Sequence, residues 1–359
     1  MKTKLPLGKS PLLCYPNYAD IFSILDAYSK DYMDWIYNYF IQLTVPNNHE
    51  LGHRLDFSVP RLLESLPWLN AERIDRKLSV DLCMGSYVQF LLNAIDHGKY
   101  IFTLLDTYYN HNYEIYNKKH FPHEHLIYGY DDENKYFLFA DNFDMGKYNY
   151  GKVMFDEVEN ANRGLWEEQM IDWYDGTYLL SYRKNYDYGM CVFRDYYKHP
   201  FSLQLVYKLV NDYLFERPTE LDWTLPNSLV GCEIETSKKC WGMAIYNYIF
   251  EYLDILAQNE NSDIEFRLFY TLYEHKKIMK EIISHILKIT GFNRNSYINE
   301  KCDESISNSS IIIKMLLKYQ IKNNIQLLEM VKCRIGILRE NDDIVMNYLR
   351  DMIAAVIGL

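Results

Sequence analysis

A cysteine, two closely spaced histidines and an aspartate have the residue types and the order along the chain that nucleophilic catalysis needs. Cys14 stands just before Pro16, which suits the first turn of a helix because its missing N–H would be unpaired there anyway. His123 and His125 begin an apolar run, and Asp141 ends the next one. A thiolate attacks a carbonyl carbon, an imidazole moves the proton, and a carboxylate fixes the imidazole tautomer. The set predicts nucleophilic catalysis by Cys14.

The elements that must position these residues can be predicted from apolar periodicity. Residues 21–28 carry an apolar stripe that indicates an early helix. Cys14 would then lie at or before its N-terminus, where the helix dipole and free N–H groups lower the pKa of a thiol. Leu126–Tyr130 and Lys135–Ala140 predict a hairpin closed by a polar turn. The end of the second hairpin strand then comes near the start of the first, as a His–Asp pair requires.

The remaining periodicity predicts the fold class. Further strands are predicted at Tyr100–Leu105, Lys152–Val158 and Thr177–Tyr182, and a helix over Val80–Asp96. From about residue 200 the chain is predicted to be mainly helical, with an Asn- and Ser-rich loop over 291–308. At 359 residues we expect two domains. The prediction is an α+β fold, with an antiparallel sheet in a domain over 1–195 and a helical domain over 196–359.

Composition disfavours several functional classes. Thirty-eight Lys and Arg against 49 Asp and Glu give a net charge of −11, which disfavours a nucleic-acid partner. Seven cysteines with no CxxC pair disfavour a secreted disulfide scaffold and a zinc ribbon. Apolar stretches fall short of the roughly 20 residues that a membrane span needs, and no secretion signal follows Met1–Lys9. Neither a P-loop nor a GxGxxG motif occurs. We expect a cytoplasmic protein with no membrane partner, no cofactor and no metal.

A second motif matches a known signature more closely, but the residues around it suit that signature less well. His49-Glu50-Leu51-Gly52-His53 matches H-E-x-x-H, the zinc-protease signature, which needs a helix so that both imidazoles share one face. A proline and two asparagines directly precede it, and Gly52 weakens a helix by about 1 kcal/mol relative to Ala. A loop with two solvent-facing histidines is favoured, and a zinc metalloprotease remains an alternative.

Four segments of the chain carry a resemblance to a known family. They are Cys14-Tyr-Pro-Asn-Tyr-Ala-Asp-Ile-Phe-Ser-Ile-Leu25, Gly98-Lys-Tyr-Ile-Phe-Thr-Leu-Leu-Asp-Thr-Tyr-Tyr109, His123-Glu-His-Leu-Ile-Tyr-Gly-Tyr-Asp131 and Phe137-Leu-Phe-Ala-Asp141. The N-terminal half resembles a papain-like cysteine peptidase of the bacteriocin-processing type, and more narrowly the butirosin-biosynthesis acyltransferase family. Two segments of the C-terminal half, beginning at Trp241 and Phe266, resemble the helical extension of the same relatives.

The resemblance implies a papain-like catalytic domain over 1–195 with Cys14, His123 and Asp141 as its triad. His123 is preferred to His125 because the family's histidine stands about six residues before a glycine, here Gly129. It also implies amide bond formation in nonribosomal antibiotic biosynthesis. An acyl group would pass from the phosphopantetheine thioester of an acyl or peptidyl carrier protein to an amine or diamine, as in the transglutaminase-like amide synthases of closthioamide-type pathways.

One position departs from the family, and two other functions remain open. Papain-like enzymes place an oxyanion-hole Gln six residues before the cysteine, whereas this chain has Gly8 there. The N–H of Cys14 could supply one donor, and the second donor is unassigned. A cysteine peptidase would use the same site with water in place of the amine. A catalytically inactive binding module would keep its function without Cys14.

Tyrosine is unusually abundant, with 34 residues. Codon bias is the simplest origin of that number. Tyr15 and Tyr18 stand beside the predicted nucleophile, Tyr108 and Tyr109 follow a predicted strand, and Tyr128 and Tyr130 stand beside the histidine segment. We therefore also expect part of the excess to line an acyl-binding cleft. An acidic carrier protein would need a local basic patch, for which Lys276-Lys277 and Lys238-Lys239 are candidates.

Overall fold

The computed structural model describes residues 2–144, 146–168, 176–183, 200–219, 238–258 and 263–359. Within these ranges no helix combines the length and the apolar character that crossing a bilayer would take. The protein has a mixed α/β architecture with an antiparallel sheet and a helical C-terminal region, in agreement with the predicted fold class.

Strands and helices are numbered along the chain within the described ranges. The strands are β1 (Lys2–Lys4), β2 (Leu43–Pro46), β3 (Asp56–Phe57), β4 (Leu69–Asp75), β5 (Tyr100–Asp106), β6 (Pro122–Asp131), β7 (Tyr136–Asp144), β8 (Lys147–Met154), β9 (Gly176–Tyr182) and β10 (Lys239–Trp241). The helices are α1 (Pro16–Asp26), α2 (Met33–Tyr39), α3 (Leu62–Ser65), α4 (Arg76–Asp81), α5 (Tyr87–Asp96), α6 (Phe155–Glu167), α7 (Leu203–Leu214), α8 (Ile245–Gln258), α9 (Phe266–Thr290), α10 (Ser296–Lys322) and α11 (Ile325–Ile357).

The chain divides into two compact units whose boundaries differ from the predicted ones. The first unit comprises residues 1–32 and 62–198, and the second comprises 33–61 and 199–359. The expected division into 1–195 and 196–359 therefore misses segment 33–61, and its boundary lies outside the described residues. The segment belongs to the second unit because β2 pairs with β10 and α2 packs on α7 and α9.

A seven-stranded antiparallel sheet forms the centre of the first unit. Its order is β4-β9-β5-β6-β7-β8, and β1 adds to β6 beyond the end of β5. Helices α5 and α6 cover one face through a core that includes Leu91, Ile127, Phe139 and Val158. The central strand β5 is buried over its whole length, as a strand covered on both faces must be.

The hairpin of β6 and β7 forms where the alternation predicted it. The Asp131 carboxylate accepts hydrogen bonds from the backbone N–H groups of Glu133 (3.1 Å) and Asn134 (3.2 Å), so that the acidic turn closes on itself. The pairing shifts between Ile127 and Gly129 through a bulge. A side chain at position 129 would lie 2.7 Å from the Thr3 carbonyl oxygen, which explains the glycine where β1 approaches β6.

Three predicted elements were wrong in part, each for a local reason. The strand expected at Lys152–Val158 ends at Met154 because α6 begins at Phe155, where the Glu157 carboxylate accepts the Met154 N–H (2.8 Å) and caps the first turn. The helix expected over Val80–Asp96 is broken between α4 and α5, where Met84 and Gly85 have positive φ. The loop expected over 291–308 is mostly the start of α10, which Asn295 caps.

The second unit is a helical assembly with a small sheet. Strands β10, β2 and β3 form that sheet, and α9, α10 and α11 pack in sequence order. Its interior includes a polar cluster around Lys276. Lys276 forms a buried ion pair with Asp342, and the same carboxylate accepts hydrogen bonds from the hydroxyl groups of Tyr213 (2.7 Å) and Tyr246 (2.6 Å). The polar groups compensate one another, so the cluster is a structural network.

Candidate active site

His123 and Asp141 form a close pair at one end of the hairpin. Nδ1 of His123 lies 2.6 Å from Oδ2 of Asp141. Asp141 is fully buried, and the side chain of His123 keeps 16% exposure. Burial lowers the pKa of His123, but the charge and the hydrogen bond of Asp141 outweigh it and raise that pKa to about 9. The pair therefore holds an imidazolium at neutral pH whose Nε2 can act as an acid.

Asp141 is held by three donors in addition to its place on β7. Oδ2 accepts hydrogen bonds from His123 and from the hydroxyl group of Tyr113, and Oδ1 accepts the backbone N–H of Asn142 (2.6 Å). Burial raises the pKa of Tyr113 far above its usual value, and the neighbouring carboxylate adds to the rise. The phenol therefore stays protonated and serves as a fixed donor.

His125 plays a different part from His123. It is completely buried, and burial lowers its pKa to about 4. Nδ1 donates to the carbonyl oxygen of His123 (3.0 Å), and Nε2 accepts from Nδ2 of Asn110 (3.1 Å). Both ring nitrogens are hydrogen-bonded, so His125 is neutral and has a structural role beside His123. Of the two histidines, His123 is the one that pairs with Asp141.

Cys14 lies two residues before the first residue of α1 and is 3% exposed. Leu13, directly before it, has a carbonyl oxygen that accepts a hydrogen bond from Nδ2 of Asn142 (3.3 Å), the residue directly after Asp141. The segment that carries the cysteine is thus tied to the segment that carries the aspartate. Within the described residues no hydrogen bond joins Cys14 to His123. The structure brings His123 and Asp141 into direct contact. Cys14 is connected to them through Leu13, the residue directly before it.

Gly8 does not occupy the place of an oxyanion-hole residue. Its N–H donates to the carbonyl oxygen of Ser23 (2.8 Å), and a side chain at position 8 would lie 2.5 Å from the carboxylate of Asp26. Ser23 and Asp26 belong to the last turns of α1, whereas Cys14 precedes its first turn. A glutamine at position 8 would therefore point at the wrong end of the helix.

Sequence reasoning missed a buried carboxyl group on α1. Asp20 is fully buried, and its Oδ1 accepts a hydrogen bond from the hydroxyl group of Tyr148 (2.7 Å). Burial raises its pKa far above the usual value, and the charges of Asp141 and Glu124 add to the rise. This environment therefore favours the neutral form of the Asp20 carboxyl group. Its only sequence signal is its position in the apolar run of α1.

The tyrosines nearest Cys14 do not line a cleft. Tyr15 and Tyr18 are each 3% exposed, and Tyr128 and Tyr130 are each 4% exposed. They belong to the core, so the cleft-lining prediction for these four residues was wrong. Lys276 is also unsuited to docking a partner, because it is 3% exposed and paired with Asp342.

The H-E-x-x-H string adopts a short turn in place of a helix. A 3-10 turn covers His49–Leu51, and Gly52 has φ 95°. Nδ1 of His49 lies 3.5 Å from Nδ1 of His53, which lies 2.8 Å from the hydroxyl group of Tyr248. Both histidines are partly buried against tyrosines, not solvent-facing as expected. Across the described part of the chain, no three His, Cys, Asp or Glu side chains are grouped to hold a metal ion.

Comparison with other proteins adds no family assignment. No protein-family model matches the chain, and no curated protein has a significantly similar sequence. The candidate site is therefore supported by its own geometry.

Proposed function

We propose that this protein is a cysteine-dependent acyltransferase of the papain-like type, with Cys14 as nucleophile, His123 as acid and base, and Asp141 as the residue that orients His123. The observation that carries the proposal is the buried His123–Asp141 pair, joined to the Cys14 segment by the bond from Asn142 to Leu13. An imidazolium and a helix N-terminus both favour the thiolate form of a neighbouring cysteine.

The proposed reaction has two halves. The thiolate of Cys14 attacks the carbonyl carbon of a thioester, a new carbon–sulfur bond forms, and the departing thiolate takes a proton from Nε2 of His123. An amine then attacks the acyl-enzyme, the now neutral imidazole takes a proton from its nitrogen, and Cys14 leaves as thiolate. The product is an amide, and the charges of the resting pair are restored.

The burial of the site favours an amine over water as the acceptor. Cys14 is 3% exposed and Asp141 is fully buried, so bulk water has little access to an acyl group held there. The finer assignment is amide formation from a carrier-protein phosphopantetheine thioester to an amine or diamine. It rests on the resemblance of the Cys14, His123 and Asp141 segments to the butirosin-biosynthesis family. A cysteine peptidase is the second candidate, because it needs the same acyl-enzyme.

Intact-mass measurement tests the proposal. Incubation with an acyl-pantetheine thioester should add one acyl mass to the chain, and a diamine should then remove it as amide product. Cys14→Ala should give neither adduct nor product. Cys83→Ala, which removes a partly exposed thiol from the same unit, should behave as wild type. An adduct that persists in Cys14→Ala would refute the assignment, and peptide cleavage without amide formation would favour the peptidase.

A further inference from the structure

The first unit contains a buried arginine, Arg76, that has no acidic partner among the residues the structure describes. Arg76 is fully buried, and its guanidinium donates to Oδ1 of Asn162 (2.8 Å) and to Oγ1 of Thr103 (3.1 Å). It also lies over the ring of Tyr87, 5.5 Å from the ring centroid. Each of these groups is neutral, and among the described residues Nε of Arg76 has no hydrogen-bond partner. A buried positive charge without a counter-charge is costly, so it marks a place where an anion would be stabilised.

Asn162 connects this charge to an open cavity. It lies on α6, is 4% exposed, and lines a cavity of about 540 Å³. Because its Oδ1 accepts from Arg76, its amide nitrogen is the end left to donate. Asn162 therefore joins the buried charge of Arg76 to the cavity, with its amide nitrogen as the group that can donate to a ligand.

The other walls of the cavity suit an anion with a flat apolar part. Lys77, Arg163 and Trp166 line it. The side chain of Trp166 is large and apolar, and 42% of its surface is exposed. Glu159, the carboxylate that the described lining contains, is engaged by the backbone N–H groups of Tyr87 (3.1 Å) and Val88 (3.0 Å) at the start of α5. Arg163 also lies near Glu167, with 3.6 Å between Nε and Oε1. Counting Arg76 behind Asn162, three cations stand against two carboxylates around the cavity among the described residues, so the cavity is locally positive in a chain of net charge −11.

We propose that this cavity binds a small ligand that carries a phosphate group and a planar ring, of the nucleoside monophosphate class. The phosphate would accept from Nδ2 of Asn162 and pair with Lys77 and Arg163. The ring would stack on the indole of Trp166. The volume lies within the range of small-molecule sites, roughly 300 to 1,000 Å³.

Calorimetric titration of the full chain with AMP, adenosine and inorganic phosphate tests the proposal. AMP should bind saturably. Adenosine and phosphate should each bind with an affinity at least about tenfold lower than that of AMP. Lys77→Ala and Trp166→Ala should each weaken AMP binding by about tenfold. Lys119→Ala, which removes an exposed lysine elsewhere in the same unit, should leave it unchanged.

The sharpest variant is Asn162→Asp. It gives Arg76 a carboxylate partner, so the thermal midpoint should hold or rise, but it replaces the donor with a negative charge and should abolish AMP binding. Three results would overturn the proposal: no saturable AMP binding up to about 10 mM, undiminished binding in Asn162→Asp, or phosphate binding as tight as AMP. Cys14→Ala should bind AMP as wild type does, so failure here is separable from failure of the acyltransferase proposal.

Discussion

The pKa of His123 offers the most direct test of the catalytic pair. The rise from the ordinary 6.5 to about 9 corresponds to about 3 kcal/mol of preference for the imidazolium. Asp141→Asn removes the charge that causes the rise and leaves the burial that opposes it. We therefore expect the pKa of His123 in this variant to fall to about 6.5 or below. An NMR titration of the imidazole resonances, assigned with His123→Gln, measures it.

The same pair should appear in the pH dependence of stability. Because the folded-state pKa of His123 lies above the unfolded value, its contribution is fully present below pH 6.5 and is lost as the pH rises through about 9. The difference in unfolding free energy between wild type and Asp141→Asn should therefore shrink across that window, by up to about 3 kcal/mol. Asp144→Asn removes an exposed carboxylate from the same strand and should leave both quantities unchanged. A wild-type pKa near 6.5, or one that Asp141→Asn does not move, would refute the reasoning.

Three further predictions follow from buried groups and from the His49 turn. His125 has a folded-state pKa of about 4, so urea unfolding should show stability falling as the pH drops below 6.5, by up to about 3 kcal/mol, and His125→Gln should flatten the fall. Asp342→Asn should lower the free energy of unfolding by about 3–5 kcal/mol because it leaves Lys276 buried without a counter-charge. The double variant Lys276→Met with Asp342→Leu should recover much of that loss. Equal losses of unfolding free energy in the single and the double variant would contradict this. Metal analysis of purified protein should give well under one zinc per chain, and His49→Ala should not change it.

Local patterns predicted those parts of the site that depend on neighbours in sequence. The alternation and turn around Asp131 placed His123 and Asp141 on paired strands, because a hairpin closes over a few residues. Tyr113 and Asn142 could not be assigned in that way. Tyr113 reaches Asp141 from the segment between β5 and β6, and Asn142 reaches Leu13 across 129 positions of sequence. Contacts of that kind leave no periodicity in a single chain.

The start of α10 shows why composition misled elsewhere. Serine and asparagine favour loops because their side chains compete for backbone hydrogen bonds. In α10 those bonds are used within the helix. Asn295 caps the first turn, and Ser305 and Ser309 donate to the carbonyl oxygens four residues earlier, at 2.9 and 2.8 Å. Packing against α9 and α11 then buries both serines, which tertiary structure decides and residue propensity does not.

Residues 33–61 belong to the second unit although they interrupt the first in sequence, and this affects how the chain folds during synthesis and how it can be truncated. The first unit has all of its partners once the ribosome has passed residue 198, but this segment must wait for β10 and for helices made later. Until then it carries side chains that are fully buried in the finished protein, among them Trp35, Ile36 and Phe40. A fragment ending near residue 195 would keep that apolar segment permanently without its partners. A fragment designed to carry the first unit alone should therefore replace residues 33–61 with a short polar linker as well as end near residue 198.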